Sequence, residues 1–207
     1  WQETLNENTP NYFLINIQPK ERAGVTNIFD EFDIVKPDFV PLVRARMSLI
    51  NNEDVKSRSY PEERGQWMAN REANLTWSNT INASNKIIEG EWWPENYSGT
   101  PLVSVEESAA IDMGVTIGDT LTFFVAGENV QATIANIRQV DWHSFQPNFF
   151  MVFSSNALES SPMTFITSLR LNNDQSDVFN ELLVSYPTIS VVDLEPIVQQ
   201  IQQIIDK

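Results

Sequence analysis

The chain carries a single histidine, His143, flanked by Asp141 and Ser144 in the stretch VDWHSF. Imidazole, carboxylate and hydroxyl are the three groups of a nucleophile, base and orienter relay. In an extended segment successive side chains alternate, so Asp141 and His143 share one face while Ser144 points to the other. This spacing predicts a surface histidine and no local triad. Zinc needs several imidazoles or thiolates to converge, and this chain has one histidine and no cysteine. Asp30, Glu31 and Asp33 interleave with Phe29 and Phe32, the pattern of the solvated side of a helix. Glu106 and Glu107 fit capping and the helix dipole, with Ser104 and Glu107 spaced as a capping box. There is no glycine-rich phosphate loop. The sequence therefore predicts no catalytic group, no metal site and no cofactor.

Aromatic residues offer a different chemistry, that of contact. In the adjacent pair Trp92 and Trp93, one indole can anchor in a core while the other meets a partner. Phe145, Phe149, Phe150 and Phe153 read first as strand core, and part of the run could wall an apolar groove. Trp92, Trp93, Phe145 and Phe149 are therefore the candidate contacts for a partner or an apolar ligand. Core packing alone also accounts for them.

The elements that would position these residues follow from periodicity. Tyr12 to Ile17 reads as a buried strand, and Pro19 opens a helix with Val25, Ile28, Phe29 and Phe32 on one face. Val40 to Ile50 then alternates, with Val43, Ala45, Met47 and Leu49 inward. The same β-α-β order returns near the end. A strand from Thr164 to Leu171 leads to a helix carrying Phe179, Leu182, Leu183 and Tyr186, and then to a short strand from Thr188 to Val192. Neither unit can bury a two-stranded sheet alone, but together they can form one sheet with both helices on one face, a split ferredoxin-like arrangement. On this reading Leu121 to Val125 stays outside that sheet. Residues 51 to 161 become an insertion with its own core, between an outer domain of residues 1 to 50 and 162 to 207. In the insertion, strands are expected at Leu102 to Val105, Leu121 to Val125, Val130 to Ile137 and Phe149 to Phe153. A hairpin turn is expected at Gly127-Glu128-Asn129, and the whole suggests a partly closed barrel.

Composition sets outer limits. A 207-residue chain with 42% apolar residues, 12 Phe and 6 Trp can bury a sizeable core without staples. Its 28 acidic against 13 basic residues, net charge -15, disfavour nucleic acid and anionic lipid as partners. The absence of cysteine leaves the redox compartment open. No stretch approaches the roughly 18 apolar residues of a membrane span, and the start has no signal-peptide pattern.

The stretches PNYFLINIQP, GEWW, VSVEESAAIDMGVTIGDTLTF, IRQVDWHSFQPNFFMVF and SVVDLEPIVQQIQQI, in this order, resemble the periplasmic core domain of MacB/FtsX-type ABC permeases. The similarity is closest to the YbbP-type branch, to its second extracytoplasmic domain, and covers nearly the whole chain. His143 departs from the small polar or acidic residue of the family. The resemblance implies an α+β fold, a split ferredoxin-like "porter" subdomain with an inserted β-rich, partly barrel-like "sabre" subdomain. It also implies a cytoplasmic ATP-binding subunit as partner, a hydrophobic and in that branch lipid-like cargo, a neighbouring esterase, and a place on the periplasmic side of the bacterial inner membrane. Any membrane contact would run through flanking helices.

Three functions are consistent with this reading: a non-catalytic coupling module of a permease, a docking module for a periplasmic hydrolase, and a free secreted binding protein. The coupling module is preferred. It carries a geometric expectation. A helix capped by Asp193, with Glu195 and Pro196 in its first turn and Ile197, Ile201 and Ile204 or Ile205 on one face, should run to the final residue as a stalk, with Trp1 and Lys207 within roughly 25 Å.

Overall fold

A computed structural model describes residues 9–35 and 37–205. In chain order it holds β1 (Tyr12–Ile17), a 3-10 turn (Pro19–Glu21), α1 (Arg22–Glu31), β2 (Val40–Ile50), β3 (Glu53–Asp54), α2 (Glu63–Asn70), β4 (Glu72–Trp77), β5 (Asn85–Gly90) and β6 (Leu102–Glu106). There follow α3 (Glu107–Met113), β7 (Thr120–Val125), β8 (Glu128–Val140), a 3-10 turn (Trp142–Ser144), β9 (Met151–Phe153), α4 (Ser155–Leu158), β10 (Thr164–Leu169), α5 (Val178–Ser185), β11 (Ser190–Asp193) and α6 (Glu195–Ile205). These form two compact units. The first comprises the chain up to Pro41, Trp142–Pro147 and the chain from Thr164 onward; the second comprises Leu42–Asp141 and Asn148–Met163.

In the first unit β1 lies between β10 and β11 and is antiparallel to both, with Tyr12 opposite Leu169 on one side and Asp193 on the other. β10 is followed in the strand order by β2, which begins in this unit at Val40. Leu14 and Ile17 of β1 are fully buried, although an even spacing would put them on opposite faces. A bulge reconciles them. The register of β1 against β10 shifts between Leu14 and Ile17, and Asn16 between them takes φ 63° and donates its side-chain amide to the Thr188 carbonyl. Helix α1 buries Val25, Ile28 and Phe29, helix α5 buries Val178 and Leu182, and the two helices pack together. Asp193 accepts a hydrogen bond from the Glu195 N–H at 2.9 Å and so caps the start of α6. The far end of that helix beyond Ile205, and the separation of Trp1 from Lys207, lie outside the described residues.

In the second unit the strands pair as a ring, β2-β4-β9-β6-β8-β7, with β7 pairing back to β2. The β4/β9 and β6/β8 pairs are parallel and the others antiparallel. Closure follows from strand length. β2 has 11 residues and β8 has 13, so each accommodates more partners than a short strand could. β2 meets β4 along Val43 to Arg46 and β7 along Arg46 to Ile50; β8 takes β7, β6 and finally β5. Val43, Met47, Leu75, Val103, Val105, Leu121, Phe123, Ile134 and Phe153 form the core, and Phe123 meets Phe153 edge-on at 5.6 Å. Each such side chain contributes about 1.5–3 kcal/mol by leaving water. Ala109, Ala110 and Met113 of α3 join this core, and Gly114, at φ 69°, ends the helix in the left-handed conformation.

Several expectations need correction. Leu121 to Val125 does not stay apart from the strand Val40 to Ile50: it pairs with the strand's second half as β7. The division between units therefore falls after Pro41, not after Ile50, because Val43, Ala45, Met47 and Ile50 belong to the core of the second unit; Ile50 takes the inward place expected of Leu49, since the register against β7 shifts between Met47 and Leu49. Residues 142 to 147, read as part of the insertion, rejoin the first unit, where Phe145 covers Leu194 and Val198. The β7-β8 turn is Ala126-Gly127, with φ 46° and 87°, because Val125 already pairs with Glu128. Helix α3 is capped by Glu106, which accepts from the N–H groups of Ser108 and Ala109; Ser104 sits within β6 and faces the interior.

Candidate functional site

The Asp141, His143 and Ser144 stretch is not extended. Trp142 to Ser144 form a 3-10 turn, and Ser144 Oγ accepts from the Gln146 N–H at 3.3 Å, an interaction that fixes the local loop. Asp141 donates its backbone N–H to the Ser84 carbonyl. Among the described residues no group of three or more His, Asp or Glu side chains is placed to hold a metal ion.

Trp92 and Trp93 stack with ring centroids 4.0 Å apart and planes at 27°. Each indole N–H donates to a carbonyl of the same loop, Trp92 to Asn79 and Trp93 to Ser78. Trp93 is 4% exposed while Trp92 is half-buried, so one ring is anchored and the other presents a face. Phe145 and Phe149 fall in different units and are both buried, Phe145 against Leu194 and Val198. Of the four, Trp92 is the one with a partly open ring.

Two features of the second unit escaped the sequence reading. On the neighbouring helices α2 and α3, Trp67 and Ile111 are largely exposed, and the Arg71 guanidinium lies 4.6 Å from the Trp67 ring centroid. The second is a buried polar network around Arg138, which is 1% exposed. Its Nε donates to Ser104 Oγ, Nη1 to Asn85 Oδ1, and Nη2 to the carbonyls of Phe149 and Phe150 at 2.6 and 3.0 Å. Ser104 in turn donates to Asn136, whose amide donates to the Glu91 carbonyl. Burial pushes the guanidinium pKa down to about 10, opposed by the charge of Glu106. The network ties β8 to β5, β6 and the segment before β9, which makes it a strut of the barrel wall. The signal was available: Ala132, Ile134, Asn136, Arg138 and Val140 fall on one alternating face of β8, and two of those five are polar.

Each unit also carries a cleft. In the second it has a volume of about 420 Å³ and is lined by Ala83 to Lys86 and Gln139 to Asp141. In the first it measures about 570 Å³, between the ends of β1, β10 and β11 and the start of α5.

No family model matches the chain. It is 38% identical, over 97% of its length, to the uncharacterized ABC transporter permease YbbP of Escherichia coli K12, and spans 24% of that protein. The resemblance drawn from the five sequence stretches is thereby borne out: the chain is similar to about a quarter of an ABC transporter permease. Among solved structures, a domain attributed to a permease protein of Porphyromonas gingivalis aligns with 91% of each chain at 9% identity and a TM-score of 0.42. No helix among the described residues is long and apolar enough to cross a membrane.

Proposed function

We propose that the chain is a non-catalytic extracytoplasmic domain of an ABC transporter permease, which couples ATP hydrolysis by a separate cytoplasmic subunit to export or extraction of a hydrophobic, lipid-like compound on the periplasmic side of the inner membrane. The observation that carries this reading is the 38% identity to a permease sustained over 97% of the chain. The strand order β11-β1-β10-β2, with α1 packed on α5, supports the split ferredoxin-like "porter", and the closed ring of strands supports the "sabre". Trp92 would be a contact for cargo or partner. The work of such a domain is mechanical, and no nucleophile-base pair is required.

The test uses the intact permease with its ATPase in vesicles. Replacing residues 1–207 by a short flexible linker should leave basal ATP hydrolysis in place while abolishing transport-coupled stimulation. Undiminished coupling would refute the proposal, as would lipid-ester hydrolysis by the 207-residue chain that is lost in Ser144→Ala. The net charge of -15 favours a second role as a docking surface for a basic periplasmic esterase. Such docking should weaken between low and physiological salt, where the Debye length falls to about 8 Å. No co-elution at either salt would exclude it.

A further inference from the structure

We propose that the cleft of the first unit binds a small zwitterion, a molecule with an ammonium group and a phosphate or carboxylate a few ångströms apart. Tyr12 of β1 is paired with Asp193 on one side and with Leu169, the neighbour of Arg170, on the other. The acidic and basic ends of the cleft therefore lie across one strand from each other, about two strand spacings or 10 Å at the backbone. At the acidic end stand Asp193 and Glu195; at the basic end, Arg170 with the amides of Asn172 and Asn173. Between them Tyr12 and Phe179 meet edge-on at 4.7 Å and form an aromatic wall.

Each charged group keeps capacity to spare. Asp193 uses Oδ1 to cap Glu195, Glu195 uses Oε1 to accept from Gln199, and Arg170 uses Nη1 to donate to the Thr9 carbonyl. The second carboxylate oxygens and the remaining guanidinium N–H groups lie outside these bonds. The negative field is felt at the wall, where the Tyr12 phenol pKa is raised by burial first and then by Asp193 and Glu195. An ammonium would be stabilised there by the carboxylates and by the aromatic ring, and an anion by the guanidinium fork and the two amides. A simple anion would be repelled from the acidic end and a simple cation from the basic end. A zwitterion satisfies both, independently of the transport reading.

Titration of the 207-residue chain with O-phosphoethanolamine, followed by amide NMR shifts, tests this directly. Saturable shifts are expected at Tyr12, Arg170 and Asp193, with affinity at least tenfold above that of ethanolamine or inorganic phosphate alone. Asp193→Asn, which retains the helix cap, and Arg170→Gln should each weaken binding about tenfold without moving the unfolding midpoint. Co-sedimentation with vesicles of phosphatidylethanolamine and phosphatidylglycerol, but not of phosphatidylglycerol alone, would identify a lipid headgroup as the source. Saturable binding of the free compound without co-sedimentation would identify a soluble solute. Absence of saturable shifts overturns the proposal, and so does phosphate binding that equals phosphoethanolamine binding and ignores Asp193→Asn.

Discussion

The two units solve the same problem in different ways. In the second, a ring of six paired strands leaves no edge within the barrel wall, and each of the six contributes inward apolar residues to one large core. In the first, among the described residues, the sheet ends at β11, four residues long, which pairs with β1 and has no residue fully buried. The barrel wall buries Arg138 in a hydrogen-bonded network, whereas Arg170, Asp193 and Glu195 of the first unit line an open cleft. Closure produces rigidity. An open edge and a short strand leave local stability low, which is where ligand-responsive elements are drawn from.

The sharpest way to break this contrast is to empty each core in turn. Phe123→Ala removes a fully buried ring that meets Phe153, and should cost about 3–5 kcal/mol. Chemical denaturation followed by tryptophan fluorescence suits it, since four of the six tryptophans, Trp67, Trp77, Trp92 and Trp93, lie in the second unit, and a Trp142→Phe background removes the signal of Trp142 in the first. Leu14→Ala in the first unit should cost less, about 2–3 kcal/mol, and leave that fluorescence transition nearly in place. A large shift of the transition in Leu14→Ala would show that the units do not unfold separately.

The Arg138 strut predicts a comparable loss with a distinct signature. Arg138→Ala should cost about 3 kcal/mol, because Ser104, Asn85 and two carbonyls lose their donor inside the wall. Because the folded pKa is depressed to about 10, the unfolded chain binds this proton more tightly. The contribution of Arg138 to stability should therefore rise with pH above about 10 and fall away as pH drops through that value. Stability curves of wild type and Arg138→Met compared between pH 9 and 11.5 would read the difference; parallel curves would remove the argument.

Smaller effects are expected at backbone contacts. A Cβ at Gly65 would stand 2.0 Å from the Asp112 carbonyl oxygen, so α2 and α3 must separate to admit it. Gly65→Ala should cost about 2 kcal/mol, measured as a lowered urea midpoint with unchanged slope. Ala126 occupies a left-handed turn position that suits asparagine or glycine. Ala126→Asn should raise stability by up to about 1 kcal/mol, seen as a melting temperature a few degrees higher.

Local periodicity carried far in this chain. β1 was readable as an apolar run and β2 from alternation, and α1 from Val25, Ile28 and Phe29; α5 was found as an element, but it buries Val178 and Leu182, while Leu183, read on the same face as Leu182, is 42% exposed. The site was less legible. Trp92 stood out as an aromatic pair member, but Phe145 and Phe149 prove buried in separate units, and the charged residues of the cleft meet only through strand pairing.

What the sequence determined by itself is therefore what depends on neighbours a few residues away: strand and helix type, caps, and the side of each element that is apolar. Tertiary structure decided which strands meet. Pairing partners such as Arg46 and Phe124, or Tyr12 and Asp193, are far apart in the chain, and alternation is equally satisfied by any apolar partner face. Only the three-dimensional packing could show that β2 closes a barrel with its second half, that Asn136 and Arg138 turn inward to one another's partners, and that Asp193 and Arg170 flank the same aromatic wall.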